Sequence, residues 1–237
     1  MIDWAAKRFW TNTQTQAKEG GFVVTLDGRE VKTPAKSSLI LPSLGMAEAI
    51  AAEWDAQEDL IKPATMPMTR TANSAVDTVA HNFEHVVETL AQYGNSDLIC
   101  YYAEHPQSLL QEQRAAWAPL HEWLTQTYGI TLTQGSGVVF VPQPDGTEAQ
   151  FQNILRQFSP FELAGLHDLI SLSGSIVIGL AAAQNVNRIT DLWNASIVDE
   201  LWNIQQWGED EEQQNYLELR RASFQTAYEF FKLSKSA

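Results

Sequence analysis

The sequence predicts an α+β protein, with a small β-rich N-terminal part packed on a larger helical C-terminal part. Three observations lead to this prediction. A hairpin dipeptide, Asp27-Gly28, lies between two apolar runs, and apolar residues recur at helical spacing over most of the later chain. The charge also changes, since residues 1–36 carry a net charge of +2 and residues 71–219 carry −16. We therefore predict two domains, residues 1–70 and residues 71–237.

The β-rich part is predicted from turn chemistry. Phe22–Leu26 and Glu30–Lys32 flank Asp27-Gly28, whose tolerance of positive φ suits a two-residue hairpin turn. Leu39–Leu41 is a candidate third strand. Ser43 is a typical N-cap, and the apolar residues after it recur every three or four positions, which predicts a helix to about Gln57.

The second part is predicted to be helical almost throughout. The predicted helices cover residues 69–93, 96–103, 107–128, 148–157, 161–172, 174–184, 190–206 and 211–232. Only Ile130–Thr133 and Val138–Val141 are predicted as strands. The uncharged stretch Leu169–Asn187 has the length of a membrane span, but serines, glycines and amides interrupt it. We expect it to be the buried centre of a helical domain.

Composition excludes several classes of function. The 237 residues include 8 Trp and carry a net charge of −14, so we expect a packed acidic protein rather than a disordered tail. That charge opposes binding to nucleic acid, to anionic membranes and to polyphosphates. Cys100 is the single cysteine and no phosphate-binding loop occurs, so we predict neither a nucleotide, nor a cofactor, nor a multi-cysteine metal site.

One short motif suggests an enzyme. His81, Glu84 and His85 fit H-x-x-E-H, in which two histidines one helical turn apart bind zinc and the glutamate acts as base. A zinc site also needs a third ligand, and the other histidines lie in no matching motif. A metal-dependent hydrolase is therefore the alternative hypothesis, and two solvent-facing histidines on a helix are the simpler interpretation.

The C-terminal third combines acidic and aromatic residues. On a continuous helix over residues 190–206, Glu200 falls at the edge of the apolar stripe that contains Trp193, and Trp202 points to the opposite side. An aromatic side chain outside the core beside a half-buried carboxylate is typical of a protein interface. Alternatively, the last helix covers Trp202, and the acidic run Glu209–Glu212 stabilises the start of that helix through its dipole.

Several blocks of the sequence, in this order, resemble the F-type ATP synthase assembly chaperones. The blocks are Gly21-Phe22, Leu26–Arg29, Lys32–Pro34, Ala51–Gln57, Pro63–Arg70, Ser96–Tyr101, Ser173–Ser175, Asp199-Glu200 and Trp207–Asp210. The resemblance covers nearly the whole chain. It implies a chaperone without enzymatic activity that binds the free α subunit of the catalytic sector and prevents its aggregation until β joins.

The resemblance and the interface pattern together name candidate client-binding residues. These are Glu200, Trp202, Trp207, Gly208 and Asp210, with Glu53, Trp54 and Asp55 as a further candidate group. Residues 1–10 have neither the apolar core of a signal peptide nor a transit-peptide pattern. We therefore expect a bacterial cytoplasmic protein, or a processed form from the mitochondrial matrix.

Overall fold

The structure is a computed structural model that describes residues 7–235, and it confirms the α+β class. The strands are β1 (Thr13–Lys18), β2 (Gly21–Leu26), β3 (Arg29–Glu30), β4 (Tyr101–Tyr102) and β5 (Gly135–Ser136). The helices are α1 (Leu44–Asp55), α2 (Pro67–Ser74), α3 (Phe83–Ala91), α4 (Gln107–Tyr128), α5 (Thr147–Leu155), α6 (Pro160–Ser173), α7 (Ile176–Ala183), α8 (Ile189–Ser196), α9 (Val198–Trp207) and α10 (Glu211–Ser234).

Contacts within the chain define two compact units. The first unit consists of the residues up to Phe83, with Ser159–Gly165 and the segment from Glu229 onward. The second unit consists of Glu84–Phe158 and Leu166–Tyr228. The predicted division into domains 1–70 and 71–237 stays a prediction.

The first unit is built on the predicted hairpin. Leu26 pairs with Arg29 across a two-residue turn, and Asp27 and Gly28 have φ values of 47° and 78°, as a type I′ turn requires. Strand β1, which the sequence analysis missed, pairs antiparallel with β2 to give the order β1-β2-β3. Its alternating Thr and Gln side chains are mostly exposed, so β1 shows little of the apolar signal by which strands are recognised.

Helix α1 packs on β1 and β2 and closes the core of this unit. The Ser43 hydroxyl accepts a hydrogen bond from the Met46 amide at 3.1 Å, which confirms the predicted N-cap. Met46, Ala47 and Ile50 are fully buried. Ala47 and Ile50 belong to the predicted apolar stripe, whereas Leu44, predicted in the same stripe, is 45% exposed.

The core of the second unit is α7. Every residue of this helix is buried, and its neighbours include α4 and α8. The expectation that Leu169–Asn187 is a buried helical centre is thus confirmed for α7. Within residues 7–235, no helix combines the length and apolarity that a membrane crossing needs.

A buried carboxylate, Asp97, joins two of the sequence blocks in the second unit. Its oxygens accept hydrogen bonds from the amides of Ile99 and Val177, both at 3.2 Å. Desolvation raises the pKa of Asp97 to about 6, although the hydrogen bonds it accepts act in the opposite direction. The Leu98 amide also donates to the carbonyl of Gly174, which has a φ of 69°. Asp97 therefore fixes Ser96–Tyr101 against Ser173–Ser175.

Four secondary-structure predictions for residues 69–141 are wrong. The predicted helix 96–103 is a 3-10 turn over Leu98–Cys100, capped by the Asp97 side chain and followed by β4. The predicted helix 69–93 is divided by a π turn at Ala75–Val79 and by a break before α3. The predicted strands 130–133 and 138–141 lie outside any strand, and only β5, between them, pairs with β4.

Candidate functional site

The predicted helix 190–206 is two helices, with a break at Ile197. This residue has a φ of −127° and a ψ of 30°, ends α8 and precedes α9. Trp193 and Ile197 are buried, whereas the downstream half of the predicted stripe is only half buried. The single-helix wheel is therefore wrong beyond Ile197, and the directions of Glu200 and Trp202 follow from α9 alone.

Glu200 lies at the edge of the core of the second unit and has an arginine close by. Its side chain is 35% exposed, and its Oε1 lies 3.7 Å from Nη1 of Arg220. Among the described residues, the Glu200 carboxylate accepts no hydrogen bond within standard geometry. The ion pair is thus loose, and the carboxylate keeps capacity for a further cation or N–H donor.

Arg220, in contrast, is held tightly. Its Nη2 donates a hydrogen bond to the carbonyl of Leu172 at 2.9 Å. Its guanidinium lies over the rings of Trp193 and Tyr216, at 5.4 Å and 5.5 Å from their centres. These contacts fix the cation independently of Glu200, so the carboxylate can exchange partners while Arg220 stays in place.

A cavity of about 480 Å³ opens beside this ion pair. The apolar side chains of Trp117 and Val198 line part of this cavity. Three further segments complete the lining with Ser173, Gly174, Asp199, Glu200, Asn203 and Arg220. Asp199 accepts a 2.7 Å hydrogen bond from the side chain of Gln113. The cavity therefore offers both carboxylates of the Asp199-Glu200 block, one already hydrogen-bonded and one available.

Trp202 is half buried, and α4 provides its partner. The indole Nε1–H donates a hydrogen bond to the Ser108 hydroxyl at 3.1 Å. Helix α9 packs on α4, so Trp202 is positioned by the start of α4. The remaining exposed part of the ring can still contact a partner.

The end of α9 and the segment after it present an aromatic ring and several carboxylates to solvent. Trp207 is 82% exposed, and Gly208 follows with a φ of 88°, which ends the helix. An Asp210 oxygen accepts a hydrogen bond from the Glu212 amide at 3.3 Å. Glu211 and Glu212 lie in the first turn of α10, where negative charges stabilise the helix by interacting with its dipole.

Comparison with known proteins identifies the family. The family profile described as ATP12 chaperone protein matches residues 7–125, half of the chain. The chain belongs to the ATP12 chaperone family. This confirms the family that the sequence blocks predicted.

Relatives and solved structures agree with the ATP12 assignment. The mitochondrial protein atp12 of Schizosaccharomyces pombe is 27% identical over 184 residues, which cover 73% of this chain and 63% of that protein. The chain thus spans less than two thirds of the length of this relative. The crystal structure of Atp12 from Paracoccus denitrificans is 36% identical and superposes with a TM-score of 0.91, covering 98% of this chain and all of that one. The Atu1473 protein of Agrobacterium tumefaciens also gives a TM-score of 0.91, at 35% identity, over 97% of this chain and 86% of that one.

The candidate residues of the first unit have mainly structural partners. The Glu53 carboxylate accepts hydrogen bonds from the amides of Met68 and Thr69, at 2.7 Å and 2.8 Å, and from the Thr69 hydroxyl at 2.6 Å. It thereby caps α2, whose own N-cap residue has no side-chain bond. Trp54 packs edge-to-face on Trp10, with ring centres 5.3 Å apart.

Asp55 is the exposed member of this group. Its Oδ1 lies 3.4 Å from Nη2 of Arg8, and its side chain is 66% exposed. Exposed pairs of this kind contribute little to stability. Asp55 is the most exposed of the three first-unit candidates, and all three stay predicted client contacts.

The H-x-x-E-H pattern does not form a metal site. His81 lies in the turn before α3, where its Nδ1 is 3.0 Å from the Val76 carbonyl oxygen, and Glu84 pairs with Arg156 at 3.0 Å. Since His81 is outside the helix, it is not one helical turn from His85 as the motif requires. Over the described part of the chain, no three His, Cys, Asp or Glu side chains are grouped to hold a metal ion. The structure therefore gives the hydrolase hypothesis no support.

Two exposed residues of α10 extend the candidate surface and were missed from the sequence. Tyr216 and Leu219 are 59% and 70% exposed, three residues apart on one face of the helix. Tyr216 also contacts Arg220 and so lies beside the Glu200 ion pair. A helical wheel of α10 separates this pair from the buried Leu217 and Phe224, so the signal was present in the sequence.

Proposed function

We propose that this chain is an assembly chaperone of the F-type ATP synthase that binds the free α subunit of the catalytic sector. In this function it keeps the unassembled subunit from aggregating and releases it when β joins. The observation that carries the proposal is an available carboxylate, Glu200, beside exposed aromatic residues in a chain of the ATP12 family. A carboxylate beside exposed aromatic side chains is suited to binding a protein.

The charge of the surface favours a client with basic groups. The chain has a net charge of −14. The ion pair between Glu200 and Arg220 is loose, since the nearest oxygen and nitrogen atoms are 3.7 Å apart. A lysine or arginine of the client can therefore approach Glu200 without displacing Arg220, which the Leu172 carbonyl and two rings hold. Complementary charge accelerates binding and selects the partner, which suits a client that must later be released.

Aromatic residues provide the apolar part of the proposed contact. Trp207 and Tyr216 are exposed, and Trp202 is half exposed on α9. Large aromatic side chains are the usual hot spots of protein interfaces. Gly208 and Asp210 shape the turn between α9 and α10, and we assign them to the same surface.

The proposal is tested with purified, unassembled α subunit. Wild-type chain should suppress its aggregation in light scattering. Glu200→Lys should weaken capture at least tenfold, about 1.4 kcal/mol or more, because it reverses the charge at the contact. Glu200→Gln should weaken capture less, and Trp202→Ala should weaken it without abolishing it.

The matched control is Glu122→Lys, which changes the net charge equally at an exposed position on α4. Thermal unfolding is measured for each variant in parallel. Normal unfolding with failed suppression by Glu200→Lys, and normal suppression by Glu122→Lys, supports the proposed site. Equal losses of stability and suppression would make Glu200 structural, and normal suppression by all variants would move the client site elsewhere.

A further inference from the structure

A short apolar loop in the second unit is strongly exposed. Val138, Val139 and Phe140 are consecutive, and they are 100%, 74% and 63% exposed. Exposed apolar residues that occur singly need no explanation, but a contiguous group usually marks an interaction surface. None of the family blocks quoted above includes these residues.

The base of the loop is fixed, so the apolar tip is held in one place. The Gly137 amide donates to the Tyr102 carbonyl at 2.8 Å, next to the pairing of β4 with β5. On the other side, the Gln143 side chain accepts from the Thr133 amide at 2.8 Å and donates to the Thr133 carbonyl at 3.0 Å. Val141 packs so closely on Gly135 that a Cβ there would lie 2.3 Å from its Cγ2. A loop closed in this way loses little entropy when its tip binds.

The tip has the sequence of a strand and lacks a strand partner. Val-Val-Phe-Val is β-branched and aromatic, so the sequence predicts a strand over Val138–Val141. In the structure these residues belong to no strand, and their four backbone N–H groups donate to no acceptor within residues 7–235. A disagreement between local propensity and observed structure is expected where function imposes it. An unpaired apolar segment of this kind is suited to pairing with an added strand.

We propose that Val138–Val141 binds the client by β-strand addition, pairing its free backbone groups with an exposed apolar strand edge of the unassembled α subunit. This inference rests on the proposed function. An unassembled subunit exposes apolar surface that its neighbour later covers, which is the complement that this loop requires.

Charge argues against the other possible occupants. Glu104 packs at the base of the loop, where its Oε1 would lie 2.9 Å from a Cβ at Gly137. With a chain charge of −14, an anionic lipid surface is repelled, and so is a second copy of this chain.

Hydrogen exchange of the backbone amides tests the pairing directly. The wild-type chain is exchanged alone and in complex with purified α subunit, and the peptide containing Val138–Val141 is followed by mass spectrometry. We expect exchange at this peptide to slow at least tenfold in the complex, about 1.4 kcal/mol or more of protection. A stable complex with unchanged exchange there would overturn the loop inference and leave the proposed function intact. Failure to form any complex would overturn both.

Two pairs of variants distinguish strand pairing from nonspecific hydrophobic association. Phe140→Ser should weaken capture about tenfold, whereas Phe9→Ser, at an equally exposed phenylalanine in the first unit, should not. Val139→Pro removes a backbone donor and should weaken capture more than Val139→Ala, which keeps it. Equal capture by Val139→Pro and Val139→Ala would overturn strand addition.

The competing occupants are measured with the same variants. Wild-type chain is mixed with vesicles of phosphatidylglycerol and phosphatidylcholine, and its own association is followed by light scattering. Neither vesicle binding nor self-association is expected. Vesicle binding or self-association that Phe140→Ser abolishes would overturn the assignment of this loop to the client.

Discussion

Replacing Glu53 by glutamine should destabilise the protein by about 3 kcal/mol. The wild-type carboxylate accepts three hydrogen bonds of 2.6–2.8 Å from the first turn of α2. Hydrogen bonds to a charged acceptor contribute roughly 1.5–3 kcal/mol each and are not additive. Glutamine keeps one acceptor oxygen and turns an NH2 group toward a second N–H donor. One bond is therefore lost outright, and a backbone donor at the helix start is left without its partner.

The measurement is urea unfolding of the wild type and Glu53→Gln, with midpoints compared at unchanged slope. Asp55→Asn is the matched control two residues away, since the exposed Asp55 carboxylate contacts Arg8 alone among residues 7–235, at 3.4 Å. We expect the control to change stability by about 0.5 kcal/mol or less. If Glu53→Gln unfolds within about 0.5 kcal/mol of the wild type but fails to capture the client, Glu53 is a contact residue and the capping argument is refuted.

Three further predictions concern the second unit and its chemistry. Burial raises the pKa of the Asp97 carboxyl from 3.8 to about 6, so the folded state favours the protonated form. The stability that protonated Asp97 contributes is therefore present below about pH 4 and is lost as the pH rises through 6. Relative to Asp97→Asn, the wild type should therefore lose about 2 kcal/mol of unfolding free energy between about pH 4 and pH 7, and parallel pH profiles in urea would contradict this. Gly94→Ala would place a Cβ 2.5 Å from the buried ring of Phe151, which should cost about 1–3 kcal/mol and lower the melting temperature by several degrees in a calorimetric scan. Isothermal titration with ATP should show no micromolar binding, since the chain has no phosphate-binding loop and a charge of −14.

Local turn and cap chemistry could be predicted from the sequence. The Asp27-Gly28 hairpin and the Ser43 cap depend on interactions within a few residues, and both form as expected. The buried centre around α7 was also predictable, because its composition leaves few alternatives.

The features that were mispredicted depend on distant partners. Asp97 bonds an amide 80 residues away at Val177, and this long-range contact replaces the helix predicted over residues 96–103. The α8–α9 break at Ile197 carries neither Gly nor Pro, so no local signal marks it.

The candidate site was predicted in part. Glu200 was expected at the edge of the apolar stripe, and its half-exposed side chain lies at the margin of the core. That this arginine is Arg220, and that the Leu172 carbonyl anchors it, depends on how α10 packs in the second unit and could not be derived from spacing. The environment of Trp202 was missed because its partner, Ser108, precedes it by 94 residues.

Size-exclusion chromatography with light scattering measures both capture and release of the α subunit. Purified chain is mixed with unassembled α subunit, and β subunit is added in a second step. We expect one α subunit bound per chain, and loss of that complex when β is added. Aggregation of the α subunit at the same rate with and without the chain, or a complex that β cannot dissociate, would contradict it.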